Sequence, residues 1–597
     1  MKFQKLAYYF SKLEATTSRL KITAILADLL KEASPEEVDK ICYLSLGRLA
    51  PLYVGIEFNL AEKLMIKVLA KAFGQKEEKI RQEFKTAGDL GETTYNLKLK
   101  ILNLKFKELT VDEVYERLLE IAKESGEGSV ERKINKMVAL INELDPLSAK
   151  YVVRIPLGRL RLGFSELTIL DALSWMLVGD KSKREEIEAA YNVRADVGEI
   201  AKNIKYKIAN IKYKNVQKII DEIKNIKPIL GIPIMPALCQ RLPTPEEMIK
   251  KMGLVAAEPK FDGTRLQVHF QPSSPGVPME NNTRCVQIFT RNLENVTAMF
   301  PDIVEGVKKE VKAKEVILDG EAIGFDPKTG KFLPFQETIK RKRKYEVDQK
   351  AKEIPLKYFA FDILYKDGES LLSLPLEKRR EILEETLSAT NERIVLTPQI
   401  ITDDPEELRQ FHDEQVAKGL EGAVVKKWRA AYEPGRRGYT WVKFKAEKKG
   451  KRGGGLKDTL DCLVMGYYRG KGKRAAFGIG AFLVGVRESE NSDRFFTISK
   501  IGTGLTDEQW KELKIKSEKL KVKSQPKEYK VDKNLAPDVW CQPQLVVEIE
   551  ADNITVSPVH TAGLALRFPR LLRFREDKSP TEATTLAEAK KLYRMQK

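Results

Sequence analysis

The sequence predicts a multidomain chain in three parts: all-α over residues 1–227, α+β over 228–447, and a C-terminal β-barrel of the OB-fold kind over 448–597. Three observations predict it. A chain of 597 residues far exceeds what one core organises. Apolar spacing changes from helical to alternating near Ile226-Lys227-Pro228. A second break, Lys448-Lys449-Gly450-Lys451-Arg452-Gly453-Gly454-Gly455, reads as a hinge, because three successive glycines lose much entropy on ordering.

The first part carries helix-start signals. Ser34-Pro35-Glu36-Glu37 has the form of a capping box with proline at the first helical position, and Thr110-Val111-Asp112-Glu113 resembles one with its acid intact. Ser165 opens a segment in which Leu167, Ile169, Leu170, Leu173, Met176 and Leu177 share one apolar helical face, a core stripe. Before it, the loop Arg154 to Gly163 places Arg159 and Arg161 next to a helix start. Such arginines either hold phosphates or face solvent in a turn. The stretch Gln4 to Phe10 has the look of a sliding-clamp peptide, but Ala7 falls where a large aliphatic belongs, so it reads as the first core helix.

In the second part, prolines at 233 and 236 stand too close to continue a helix. Thr244-Pro245-Glu246-Glu247 caps one helix, and strands then dominate. Leu266-Gln267-Val268-His269-Phe270 alternates as a half-buried strand does. Further strands are expected at Val286–Phe289, Val316–Leu318, Tyr358–Phe361, Gly422–Val425 and Trp441–Lys445, with a long hairpin loop over 271–282. The run Lys340 to Lys344 reads as solvated. In the third part, strands at 460–468, 479–486, 495–501 and 545–549 surround one helix starting at Thr506, which suits a small barrel.

Composition narrows the function classes. A net charge of +19 favours a polyanionic partner. No apolar run is long enough to span a membrane, and Met1 to Glu14 is no signal-peptide core. The 5 cysteines are scattered without a Cys-x-x-Cys, which argues against disulfide frameworks and cysteine zinc sites and for a reducing cytosol. With 3 histidines, histidine-based chemistry has little to draw on.

The pattern that carries chemistry is Glu258-Pro259-Lys260-Phe261-Asp262-Gly263-Thr264-Arg265. A short apolar run delivers Lys260 into a glycine turn flanked by Arg265, which suits attack of the amine on a nucleotide α-phosphate. An ammonium cannot attack, so neighbouring cations, with Arg265, Lys443 and Lys445 as candidates, are expected to favour the free amine. Glu321, in Leu318-Asp319-Gly320-Glu321, and Glu421, in Glu421-Gly422-Ala423-Val424-Val425-Lys426, put carboxylates at strand boundaries, where they could hold hydrated Mg²⁺ beside phosphates. In Trp441-Val442-Lys443-Phe444-Lys445 both lysines project from one strand face, an arrangement that becomes favourable around phosphate.

Together with Thr290-Arg291-Asn292, Tyr358 to Leu364 and Arg567-Phe568-Pro569-Arg570 through Lys578, these motifs in this order resemble the ATP-dependent DNA ligases of the archaeal and eukaryotic replicative type over nearly the whole chain. The resemblance implies a helical DNA-binding domain, a nucleotidyltransferase (adenylation) domain and an OB-fold domain. It implies that Lys260 is adenylated, that Glu258 accepts from the adenine amino group, and that Arg291 meets the sugar and phosphate. It places Phe361 under adenine and Glu321 near the ribose and metal. It also implies that Arg567 and its basic neighbours orient pyrophosphate when the barrel swings over the site. ATP with Mg²⁺, or Mn²⁺ in its place, and nicked double-stranded DNA follow. So do a monomer without membrane attachment, in the cytoplasm and at the nucleoid of a prokaryote, and work in replication, repair and recombination.

Three rivals share some of these features. A capping guanylyltransferase has the lysine motif but lacks the long helical part. An NAD⁺-dependent ligase normally carries a four-cysteine zinc module. A catalytically silent DNA-binding scaffold would not need the lysine motif and both carboxylates.

Overall fold

The computed structural model describes residues 1–597 apart from 102–105, 211–214, 272–285, 334, 343–346, 389, 436, 446–457, 471–477 and 596–597. The 448–455 hinge and most of the 271–282 loop lie outside the described residues. The chain divides into two compact units, Met1–Ala446 and Glu447–Lys597.

The first unit begins with helices, from Phe3–Glu14 to Val216–Lys224, that bury one continuous apolar core. Phe3, Leu6, Ala7, Tyr9, Phe10 and Leu13 are buried on the first helix, so Gln4 to Phe10 is core helix and only Tyr8 offers an exposed ring. The Thr110 capping box forms in both directions. The Ser34 box forms only in part: Glu37 Oε1 accepts from the Ser34 N–H, but the helix starts at Val38. Arg154 ends the helix Pro146–Arg154 and is fully buried against Asp89 and Glu14, so it is no part of an exposed arginine loop.

The central region holds two sheets. We number its strands β1 (Leu238–Arg241), β2 (Val255–Pro259), β3 (Thr264–Phe270), β4 (Val286–Thr290), β5 (Val316–Gly324), β6 (Leu356–Lys366), β7 (Glu369–Ser370), β8 (Ile394–Leu396), β9 (Ile400–Thr402), β10 (Gly422–Lys427) and β11 (Arg437–Lys445). One sheet has the order β1-β11-β10-β2-β9, the other β4-β3-β5-β6-β7 with β8 on β6. The expected strands form, but β3 is not half-exposed: Leu266 through Phe270 are all buried. The reason lies in the segment that follows the helices. Gln267 exchanges hydrogen bonds with the Ile234 backbone, and His269 Nδ1 accepts from the Gly231 N–H, so residues 231–234 cover the polar side of the strand.

The second unit is strand-rich, as the barrel expectation requires. Among the described residues its main sheet has eight strands, including Leu460–Arg469, Ile479–Arg487, Phe495–Ile501 and Val546–Glu550. The helix Asp507–Lys519, opened by the Thr506–Gln509 capping box, buries Trp510 and Leu513 in the core of this sheet. Among the described residues, no helix is long and apolar enough to cross a membrane.

Candidate active site

The two sheets converge on a cavity of about 590 Å³. Glu258 and Lys260 reach it from the end of β2, Arg265 from β3, Arg291 from the turn after β4, Glu321 from β5, Phe361 from β6, and Lys443 and Lys445 from β11. Motifs spread over almost two hundred residues therefore meet in one place. Gly263 allows it, because a Cβ there would lie 2.4 Å from the Ala322 carbonyl oxygen. Only glycine lets the loop after Lys260 pass this close to β5. Main-chain bonds from Lys260 N to Gly422 O and from Glu421 N to Lys260 O pin the lysine beside β10.

The charge around Lys260 differs from expectation. Its nearest ionic partner is a carboxylate, Glu421, with Nζ 2.5 Å from Oε2. Lys445 Nζ lies 2.9 Å from the same oxygen. Burial acts to raise the Glu421 carboxyl, but the two lysines outweigh it and hold it below its usual value. Glu321 has the opposite balance. Burial pushes its carboxyl up to about 7, against the opposing charges of Lys260 and Arg265. Glu321 is half-buried and opens onto the cavity, and a carboxylate so placed beside phosphates has the chemistry to take a divalent cation. Among the described residues no cluster of three or more metal-ligating side chains exists. A metal here would rest on Glu321 and Glu421 together with substrate oxygens and water, which is how Mg²⁺ is usually held.

Arg265 is committed to the protein. Its Nε and Nη2 donate to both oxygens of Asp319, at 3.0 and 2.6 Å, and Nη1 donates to Ala237 O. Tyr432 donates to the same Asp319. Burial opposes the guanidinium charge, and Asp319 outweighs it, so its pKa is raised. Phe361 meets Trp441 edge-on and leaves a flat aromatic wall on the cavity.

Lys426, the last residue of the Glu421–Lys426 motif, enters the site as well. Its Nζ is 2.7 Å from Glu258 Oε2, and both side chains are almost fully buried. The ammonium also donates to Phe361 O and lies over the Phe361 and Trp441 rings. Glu258 Oε1 is buried without a hydrogen-bond partner. Burial raises the Glu258 carboxyl and Lys426 opposes the rise. One oxygen of Glu258 is thus held while the other remains for a donor on a ligand. Strand alternation carried the signal: Val424 and Lys426 share the face of β10 that lines the cavity, and Val424 stands opposite Glu258 in the register.

The remaining expected residues lie elsewhere. Arg159 is exposed and paired with Glu62 at 3.0 Å. Arg161 adopts a left-handed φ of 60° and donates to Gly88 O. Arg567 belongs to the second unit, with its guanidinium against the exposed Phe568 ring. In the same segment Arg570 pairs with Asp552, and Arg575 and Lys578 both pair with Asp461, so these three are bound into their own unit.

The fold and cavity define a nucleotidyltransferase joined to a helical region and a strand-rich C-terminal domain. Comparison with known proteins agrees. The ATP dependent DNA ligase domain matches residues 236–445, the DNA ligase N terminus 2–174, and the ATP dependent DNA ligase C terminal region 475–578. A probable DNA ligase of Dictyoglomus turgidum is 46% identical over 605 residues, covering 100% of this chain and 98% of the relative. The DNA ligase of Saccharolobus solfataricus is 38% identical over 618 residues, with the same coverage. The solved structure of Pmar-Lig_PreS3 shares the fold at a TM-score of 0.51, with 16% identity, 96% of this chain and 99% of that one. The chain belongs to the ATP-dependent DNA ligase family.

Proposed function

We propose that this protein seals nicks in duplex DNA in three steps, with Lys260 as the nucleophile. The Lys260 amine attacks the ATP α-phosphate, forming an N–P bond and expelling pyrophosphate. The AMP passes to the 5′-phosphate at the nick, restoring the amine. The 3′-hydroxyl then attacks that phosphate, forming the phosphodiester and releasing AMP. The observation that carries this reading is the convergence of Lys260, Glu258, Arg291, Glu321, Phe361, Lys443 and Lys445 on one cavity.

The chain's own residues divide the work. Glu258 receives the adenine amino group on its unpartnered oxygen, and Phe361 lies under the base. Lys443, Lys445 and Arg291 balance phosphate charge. Arg265, tied to Asp319, shapes the floor and adds positive charge. The Lys260–Glu421 contact must break before the amine attacks, so Glu421 restrains the resting lysine. Mg²⁺, or Mn²⁺ in its place, held by Glu321 and Glu421, would supply charge stabilisation at the phosphoryl centre. Arg567 serves the pyrophosphate during lysine adenylation.

We assign DNA-backbone binding to residues 1–227, with Arg159 and Arg161 among the contacts, adenylation to 228–447, and the OB-fold to 448–597. Binding led by phosphate contacts is strongly salt-dependent and little dependent on sequence. The context is replication, repair and recombination, with the protein acting as a monomer in the cytoplasm. The test is sealing of a labelled nick with ATP and Mg²⁺. Glu321→Ala and Glu421→Ala should each lower the sealing rate on the order of 10²-fold, the scale of one lost electrostatic group. A wild-type rate over a Mg²⁺ titration would remove that residue from the site.

A further inference from the structure

The turn that brings Arg291 to the cavity has two sides. Thr290, Arg291 and Asn292 line the cavity. The next residue, Leu293, packs instead against the apolar core of the helical region. Its φ is 65°, left-handed backbone that disfavours a side chain and suits glycine or asparagine. A leucine held there indicates that its side chain outweighs the conformational cost. The turn is closed on itself by Leu293 N to Thr290 O at 2.8 Å and Thr290 N to Glu294 O at 3.0 Å, so the backbone from Arg291 to Leu293 moves as one piece.

A second contact reaches the same element from the same side. Phe289, the residue before the turn, is fully buried, and the Tyr53 ring of the helical region meets it edge-on at 6.3 Å. The Tyr53 hydroxyl donates to Asp196 at 2.6 Å, which also accepts from Tyr43 and from the Glu199 N–H. Tyr53, half-buried, is therefore tied to the helical region through Asp196.

We propose that Leu293 and Tyr53 are positioning residues for Arg291, and that seating of the helical region on the back of this turn sets the affinity of the cavity for nucleotide. This rests on reading the cavity as the ATP site. The consequence is a coupling: whatever shifts the helical region, duplex DNA included, alters the hold on ATP, and by reciprocity bound nucleotide alters that seating.

The experiment measures single-turnover lysine adenylation by the full chain without DNA, taking kcat as the maximal rate constant of that one turnover and KM as the ATP concentration that gives half of it. Leu293→Gly removes the side chain while suiting the left-handed backbone, so the variant keeps its fold. It should raise KM for ATP about five-fold or more, the lower end of such couplings, and leave kcat near the wild-type value. Tyr53→Ala should shift KM in the same direction. If Leu293 acts through Arg291, then adding Leu293→Gly to Arg291→Ala should cost little beyond Arg291→Ala alone. An unchanged KM in Leu293→Gly, a loss confined to kcat, or effects that multiply in the double variant would overturn the inference. A wild-type protein that takes up no AMP would instead overturn the reading of the cavity.

Discussion

Glu258 and Lys426 form a buried ion pair with 1–3% side-chain exposure, so neither can turn to water if the other is lost. Breaking a buried pair from one side costs far more than an exposed one, about 3–5 kcal/mol, because a charge is left uncompensated. Lys426→Met is therefore expected to lower stability by about 3 kcal/mol, and adding Glu258→Leu should recover part of that loss. Thermal unfolding of the two variants checks this, and an unaltered melting temperature in Lys426→Met would contradict it. The motifs made Lys260, Glu258 and the lysines of β11 legible, because chemistry needs those residue types at those places. Lys426 was legible only as an alternate residue on one face of β10, and Asp319 less so: their partners depend on which strands lie side by side. Arg265, Lys443 and Lys445 do line the cavity with Lys260, but Glu421 as its nearest ionic partner was not legible for the same reason, since Glu421 reaches Lys260 through the pairing of β2 with β10.

At the scale of the element, β3 shows what alternation alone leaves out. Polar residues at 267 and 269 suggested a wet face, yet both hold the 231–234 segment through hydrogen bonds, and the one accepted by His269 Nδ1 requires a neutral imidazole. Burial pushes the His269 pKa down to about 3. The unfolded chain takes up the proton near pH 6.5 and the folded chain does not. The contribution is thus complete above about pH 6.5 and is lost as pH falls toward 3, by up to roughly 4 kcal/mol. Urea unfolding between pH 7 and 4 should show this acid loss, and His269→Asn should flatten it. An equal slope in the variant would mean that other groups carry the effect. Helix starts were legible where both halves of the cap are local, as at Thr110 and Thr506. At Ser34 the helix begins later, where Glu37 is also claimed by the Met1 amine.

For the whole molecule, the order helical region, nucleotidyltransferase and strand-rich C-terminal domain was legible because apolar spacing changes near residue 227 and a glycine-rich break interrupts the chain at 448–455. The commitments of Arg570, Arg575 and Lys578 to acids of their own unit were not, because those partners are distant in sequence. Arg573 likewise pairs with Glu548, and Arg567 is the basic residue of the segment tested for outward chemistry. Arg567→Ala is expected to depress ATP-dependent lysine adenylation while sparing sealing of a nick that already carries the 5′-adenylate, since pyrophosphate leaves only in the first step. Equal losses on plain and pre-adenylated nicks would assign Arg567 to DNA engagement or folding. Behind all of this stands the claim that Lys260 carries AMP. The most direct measurement is the intact mass of the protein after incubation with ATP and Mg²⁺. The wild-type chain should gain one AMP, peptide mapping should place it on Lys260, and a folded Lys260→Ala should gain none. A wild-type chain that stays unmodified, or an alanine variant that is still adenylated, would contradict the account.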